Sequence, residues 1–512
     1  MKGAWEYLEQ RSGEDWLIGQ ERHAFLNLAS QAIAELHQTK ARSPYPPVIF
    51  LDESDPIHFL AKFIAACTTN CHLFLCNPTW TASEWAQAHA LIQPDLIYQK
   101  SFSTRNSQFT ISPRSTLRER NSQFAIPLIC IPTGGSSGTI RFAMYTWETL
   151  LASVAGFQKY FGVERVHSCC VLPLYHVSGL MQFVRSLTSG GKFALIPYKT
   201  LESSQLPFDP ADFFLSLVPT QLQRLLHASD LFTPPPLHST TPLPHHPSTP
   251  PPLYPTTPPP SSASSLVRFK TILLGGAPAG SEFLEQARRL NIPLAPTYGM
   301  TETASQVATL KPADFLQGMT SCGQALPHAQ ITIRSVATGE VLGENQTGVV
   351  TIAAQSLALG YYPKLFGDST FSTDDLGWLD ERGYLHIVGR RSDKIITGGE
   401  NVFPAEVEAA ILATGLVQDV GVIGVSDRHW GEAIAAIYVP TAANLTVATL
   451  KSALENRLSK FKLPKHWIAV EQLPRNAQGK LNRQELRRLV PHTDLAKPAT
   501  LPIIPVEFEF GH

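Results

Sequence analysis

Charge is scarce in this chain of 512 residues. Asp, Glu, Lys and Arg together make up 16%, and they leave a formal net charge of −1. That balance removes the electrostatic footprint that nucleic acid or an anionic membrane surface requires. Any CxxC pair is also missing. The seven cysteines (Cys67, Cys71, Cys76, Cys130, Cys169, Cys170 and Cys322) are odd in number, so neither a disulfide framework nor a zinc site is indicated. Cys67, Cys71 and His72 lie close together on an apolar run, where core packing is a simpler account than a metal. The N-terminus, MKGAWEYLEQRSGEDW, has no apolar signal core, and no apolar run is long enough to span a bilayer. These absences predict a soluble protein of a reducing compartment, the cytoplasm. The length suffices for two or more domains and a large core.

What is present is centred on Ile131–Arg141, IPTGGSSGTIR. An apolar run, Ala125–Ile131, leads into it and reads as a buried strand. Thr133, Gly134, Gly135, Ser136, Ser137, Gly138 and Thr139 follow, almost all backbone and hydroxyl. Successive N–H groups in a glycine-rich curl form a concave anion site, and hydroxyls add donors. Arg141 contributes a fixed positive charge suited to phosphate. Taken alone, the pattern fits a plain solvent loop equally well, and no GKS or GKT closes it as a Walker loop.

Around this loop the chain alternates strand and helix. Val48–Leu51 and Leu73–Cys76 read as short buried strands flanking a helix, Ile57–Cys67. This βαβ pattern favours a parallel sheet with covered faces. Thr146–Phe161 reads as a helix, Cys169–Leu174 and Lys192–Pro197 as strands, and Phe213–His227 as helical. Residues 319–390 read as short β segments, and the stretch after Asp393 as a small α+β unit. Residues 233–265 hold thirteen of the 41 prolines and no Asp, Glu, Lys or Arg, so they cannot bury enough surface to fold. A tolerated, disordered surface insertion accounts for them, or a docking site for a proline-recognising domain. RNSQF occurs twice, at Arg105–Phe109 and Arg120–Phe124, and is assigned no function.

Further clusters carry chemistry if they converge. Gly275, Gly276 and Ala277 end a strand with almost no side chains, so a flat ring has room to lie on that backbone. Tyr298 is suited to cover its other face, within Tyr298-Gly299-Met300-Thr301-Glu302. Thr301 and Glu302 offer a hydroxyl for phosphate and a carboxylate for Mg²⁺. Asp375 and Arg390 suit ribose hydroxyls as acceptor and donor. Lys480, in PRNAQGKL, is either an exposed helix-start charge or a cation inserted into a site. A lone Glu or Lys is usually at the surface.

Their joint occurrence resembles the adenylate-forming superfamily of acyl- and aryl-CoA ligases, luciferases and peptide-synthetase adenylation domains. The motifs IPTGGSSGTIR, PLYHVSGL, TYGMTETASQ, STDDLGWL, GRRSDKIITGGENVFPAEVE and PRNAQGKL carry the resemblance, over residues 131–482. SLVPTQLQRLL, YGMTETASQ and the short N-terminal region are most similar to the 2-succinylbenzoate–CoA ligase family of menaquinone and phylloquinone biosynthesis. The loop departs from the usual family pattern, ending Gly138-Thr139-Ile140-Arg141 where Gly-x-Pro-Lys is common.

The resemblance implies an α/β fold. A large N-terminal domain of mixed and parallel sheets with a β subdomain would span 1–391. A small mobile α+β domain would span 392–492, followed by a tail, 493–512. It implies ATP and Mg²⁺ as cofactors, coenzyme A as co-substrate and a small acid as substrate. The loop 133–141 would hold the β and γ phosphates, Thr301 the α-phosphate and Glu302 the metal. Lys480 would bridge the attacking carboxylate and the α-phosphate. Gly398 and Gly399 would line the pantetheine channel after rotation about Ser392, although they also suit a simple turn. His176 would gate or position the acyl group, unless it is merely a buried histidine. Arg224, with Ser305 and Gln306, would meet a second carboxylate on the acid, although an Arg on a helix is most often solvated. Rival readings are a ligase for another aryl or fatty acid, a module serving a carrier protein, and a Pro-rich interaction protein with a dead nucleotide site. No carrier signature appears in the chain, and the retained Glu302 and Lys480 oppose the last.

Overall fold

The computed structural model describes residues 2–19, 22–99, 124, 126–134, 139–230, 265–397, 400–427, 430–455, 457–475 and 481–490, apart from 41–45. Outside them lie Gly135, Ser136, Ser137, Gly138, Gly398, Gly399, Lys480, residues 233–264, the tail and both RNSQF copies except Phe124.

The first sheet has seven strands. Val48–Asp52, His72–Leu75 and Leu96–Gln99 run parallel, and β1 (Ile129–Gly134) joins them parallel beside His72–Leu75. β2 (Ile140–Tyr145) turns back antiparallel. Val48–Asp52 and His72–Leu75 are buried at every position, as strands covered on both faces must be. Helix Pro56–Thr68 starts where Asp55 accepts from the N–H groups of Ile57 and His58 at 3.0 and 2.9 Å, with Pro56 in the first turn. Helix α1 (Trp147–Phe161) starts at Thr146, whose hydroxyl caps Thr149 N–H, and stops at Gly162 with φ 65°. Helix α2 (Val177–Ser189) follows, with ten of its thirteen residues buried.

The second sheet has eight strands. Phe213–Leu217, β3 (Thr271–Leu274) and β4 (Leu294–Met300) lie side by side and parallel, and β5 (Ser305–Thr309) pairs antiparallel with β4. One core joins the two sheets: Ile49, Leu73 and Ile131 of the first, Cys170 and Phe193 of the second, and Phe63 and Phe183 from the helices between them. β6 (Gly360–Tyr361) returns to the first sheet beside β2. A third, four-stranded antiparallel sheet includes β7 (Phe371–Leu379) and β8 (Leu385–Arg390), and packs Ile331, Val350 and Ile352 onto Val307 and Ala308 of β5.

Phe213–Leu217 corrects the expected helix over 213–227. It is a strand, and the helix begins only at Pro219. The run FFLSL is too short and too uniformly apolar to distinguish a buried strand from a helix, and Pro219 marks the true start.

After Arg390 the strands belong to a separate five-stranded sheet, cored on both faces. Helices Pro404–Leu412 and Val447–Leu454 cover one face, and Arg483–Arg488 covers the other. Among the described residues, no helix is long and apolar enough to cross a membrane.

Candidate active site

The carboxyl ends of β1, β3 and β4 supply Gly134, Gly275 and Met300, and open α/β sheets present ligand sites at that edge. The two sheets meet where Thr133 Oγ1 donates to Glu302 Oε1 at 3.5 Å. Glu302 is buried, and the same oxygen accepts from the Tyr361 hydroxyl at 2.5 Å. Its backbone carbonyl accepts from Ala358 N–H at 2.8 Å. Tyr145, fully buried on β2, donates to the Thr301 carbonyl and so pins the next residue of the motif. Thr301 is half-buried, Thr139 is exposed, and the half-buried Arg141 lays its guanidinium over the Tyr361 ring, 4.3 Å from the centroid.

Gly275 and Gly299 are glycines for steric reasons. A Cβ at 275 would lie 2.5 Å from Thr297 Oγ1, and one at 299 would lie 2.2 Å from the Ser305 carbonyl oxygen. At Tyr298/Gly299 the register with β5 shifts, which re-aims the side chains. Beyond Gly275 the exposed Gly276 and half-buried Ala277 add little side-chain bulk, and Met300 is half-buried. Tyr298 donates to Asp375 Oδ2 at 2.7 Å, and burial with that carboxylate pushes its phenol pKa up. Cross-strand register sets Asp375 opposite Arg390, whose Nε lies 3.3 Å from Oδ1. Tyr298, Asp375 and Arg390 therefore form one polar group.

His176 is half-buried at the start of α2, its ring 4.4 Å from that of Tyr175. Nine residues on, the same helix carries Arg185, which the motifs did not single out. Arg185 is 2% exposed. Its Nη2 donates to Ser305 Oγ at 3.1 Å and to Gln306 Oε1 at 2.8 Å, and its guanidinium lies 4.4 Å from the Phe157 ring centroid. Among the described residues no carboxylate pairs with it, Nε has no partner, and burial lowers its pKa to about 9. Arg224, expected beside Ser305 and Gln306, is exposed on helix Pro219–Asp230, and among the described residues no hydrogen bond or ion pair joins it to either. The helix bearing Arg224 has a solvent face, whereas α2 is buried nearly all round and has nowhere to solvate its one arginine.

His328 lies in the same buried region. A Cβ on Gly156 of α1 would sit 1.8 Å from His328 Nδ1, so only glycine leaves room for this imidazole. Burial and the Arg185 charge lower its pKa to about 4. The folded pKa is below the unfolded value of about 6.5, so the unfolded chain binds more protons between these limits. His328 therefore withdraws up to about 3 kcal/mol of stability as pH falls from 6.5 to 4. Urea unfolding of wild type and His328→Gln at successive pH values should give curves that diverge in this window, with the wild type losing more. Parallel curves would refute the assignment.

Ser392 N–H and Oγ both donate to Asp374 of β7, and Arg391 N–H donates to the Asp374 carbonyl at 2.8 Å. The chain thus leaves the third sheet under restraint at the residue expected to be a hinge.

Known proteins are similar to this chain in sequence and in fold. Residues 57–362 match the AMP-binding enzyme family, and residues 406–480 match the AMP-binding enzyme C-terminal domain. The 2-succinylbenzoate–CoA ligase of Geobacillus kaustophilus is 33% identical over 71% of this chain and 69% of its own. That of Listeria innocua is 32% identical over 69% and 68%. The fold is that of the o-succinylbenzoate CoA synthetase MenE from Bacillus subtilis, solved with its acyl-adenylate intermediate, at TM-score 0.72 and 24% identity over 95% of this chain and 98% of that one. ATP-bound MatB from Rhodopseudomonas palustris matches at TM-score 0.74 and 21% identity, over 95% and 99%. The chain belongs to the AMP-binding enzyme family.

Proposed function

We propose that this chain is an ATP-dependent ligase that converts 2-succinylbenzoate to its coenzyme A thioester through an acyl-adenylate, with release of pyrophosphate and then AMP. A carboxylate is a poor electrophile. In the first step the succinyl carboxylate oxygen attacks the α-phosphorus of ATP and the bond to pyrophosphate breaks. Catalysis of such a transfer is mainly positioning and charge stabilisation. The loop 133–141 with Arg141 holds the outgoing phosphates, and Thr301 and Lys480 meet the α-phosphate and its attacking oxygen. Tyr298 and the backbone of Gly275, Gly276 and Ala277 flank the adenine, while Asp375 and Arg390 take the ribose. Mg²⁺ fits here because one buried carboxylate, Glu302, stands beside a phosphate loop, and this cation is commonly held by one or two carboxylates plus substrate phosphates. It would supply charge neutralisation on those phosphates. In the second step the coenzyme A thiol, losing its proton, attacks the acyl carbon and AMP departs.

One observation carries the choice of acid. Arg185 is a buried guanidinium bonded to two neutral side chains, with a free Nε and no carboxylate partner among the described residues. An uncompensated buried charge is expensive unless a ligand completes it. The ring carboxylate of 2-succinylbenzoate is such a ligand, and His176, at the start of the same helix, positions the acyl arm in this reading. The cytoplasm, where ATP and coenzyme A are available, is the compartment this chemistry suits.

Pyrophosphate release across a panel of acids tests the reading. 2-Succinylbenzoate should exceed 4-oxo-4-phenylbutanoate, which lacks only the ring carboxylate, by about 30-fold or more in kcat/KM, the discrimination expected of a buried charged contact. Benzoate and octanoate should be weaker still. Equal turnover of octanoate would transfer the assignment to a fatty-acyl ligase.

A further inference from the structure

Tyr361 lies outside every motif that marked the site, yet it touches two of the site's charged groups. Its hydroxyl donates to Glu302 Oε1 at 2.5 Å, and its ring carries the Arg141 guanidinium at 4.3 Å. The opposing support is Phe366, edge-on at 5.3 Å. The backbone around it is fixed as well. β6 pairs Tyr361 with Ala143 of β2, the strand that also bears Arg141. Ala358 N–H holds the Glu302 carbonyl at 2.8 Å, so this segment grips Glu302 by both main chain and side chain. At Gly360 a Cβ would lie 2.2 Å from the Lys364 carbonyl oxygen, so the turn that presents Tyr361 is closely packed.

We propose that Tyr361 is a positioning residue that couples the phosphate-loop cation, Arg141, to the metal-binding carboxylate, Glu302. The inference rests on the reading of Glu302 and Arg141 given under the proposed function. Both hydroxyls that reach Glu302, from Tyr361 and Thr133, engage Oε1. That fixes one carboxylate oxygen and leaves Oε2, which neither hydroxyl engages, as the atom to hold a cation. Groups that hold a metal ligand in place commonly contribute 10- to 100-fold to metal affinity. The ring supplies the second half of the link. A planar guanidinium stacks on an aromatic face, whereas a lysine ammonium in the same position is a mobile point charge. The arginine at 141 and the tyrosine at 361 thus form a matched pair, and losing either frees the other's partner.

The decisive variant is Tyr361→Phe, which removes the hydroxyl and keeps the ring under Arg141. Mn²⁺ binding in the presence of a non-hydrolysable ATP analogue, read by water-proton relaxation, should weaken about tenfold. The Mg²⁺ midpoint for pyrophosphate release should rise by a similar factor. Thioester formation from supplied acyl-adenylate, which needs neither the metal nor the outgoing phosphates, should stay within about twofold. Tyr361→Leu should in addition raise KM for ATP at saturating Mg²⁺, and Arg141→Lys should then add little to it. A role confined to packing would lower both half-reactions of Tyr361→Phe together and leave Mn²⁺ binding alone, which overturns the proposal. Glu302→Gln is the control. If it weakens Mn²⁺ binding and Tyr361→Phe does not, the coupling is wrong and the reading of Glu302 stands. If neither does, both fall.

Discussion

Replacing Arg185 with Gln should raise KM for 2-succinylbenzoate about 30- to 200-fold while leaving KM for ATP within about twofold. Charged hydrogen bonds to a buried partner are worth about 2–3 kcal/mol when one side is removed, which sets that range. At neutral pH the guanidinium is still protonated, since burial lowers its pKa only to about 9. It therefore offers a full charge to an arriving carboxylate. The same replacement should raise the stability of the empty protein by about 1–3 kcal/mol, because an unpaired buried charge is removed. Affinity and stability thus move in opposite directions, which a merely structural arginine does not allow. Two further measurements sharpen the test. 2-Succinylbenzoate should raise the thermal midpoint of the wild type but not of the variant, since only binding to the native state stabilises it. KM for 4-oxo-4-phenylbutanoate should be indifferent to the substitution. Equal losses for both acids would show that Arg185 acts on folding and not on the ring carboxylate.

Arg185 also shows where the sequence stopped short. Both it and Arg224 are single arginines in helical, mostly apolar surroundings. The clue that separates them is the helix and not the residue. Val177–Ser189 has ten buried positions, so its arginine has no polar face to join. Gly275 and Gly299 were marked by their motifs, whereas the steric reason each is glycine, a neighbouring strand that a Cβ would strike, is set by the sheet and not by local sequence. The start of α1 at Thr146 was legible because a helix start is a local signal. Tyr361 was not, since its partner Glu302 is 59 residues away and the strand that presents it is two residues long. Asp375 and Arg390 were each expected to serve the ribose separately. Their cross-strand pairing arises from the register within the third sheet, and the hydroxyl on the same carboxylate comes from Tyr298 of the second. The strand at Phe213–Leu217 was missed because apolar runs of that length carry no period.

Lys480→Ala should lower adenylate formation by about 10²- to 10³-fold, the usual loss when a group facing developing charge is removed. Thioester formation from supplied acyl-adenylate should stay within about threefold. Gly399→Phe should do the reverse. Both residues lie outside the described ones, but their flanks are attached to one small sheet. Thr397 pairs with Glu400 across 398–399. Arg475 bridges to Leu481 across 476–480, and its guanidinium holds Asp419 at 2.7 Å. The hairpin lies at one edge of this sheet, and the Asp419 strand, Val417–Asp427, at the other. A sheet cored on both faces is expected to move as a unit, so the expected rotation about Ser392 would carry one edge away as it brings the other to the acyl phosphate. Asp374 is placed to set that balance, because it holds Ser392 by N–H and hydroxyl alike. Single-turnover measurements of each half-reaction decide the matter. If both variants depress both steps to the same extent, the two residues do not take turns at one site, and the division of labour between the edges of the small sheet is wrong.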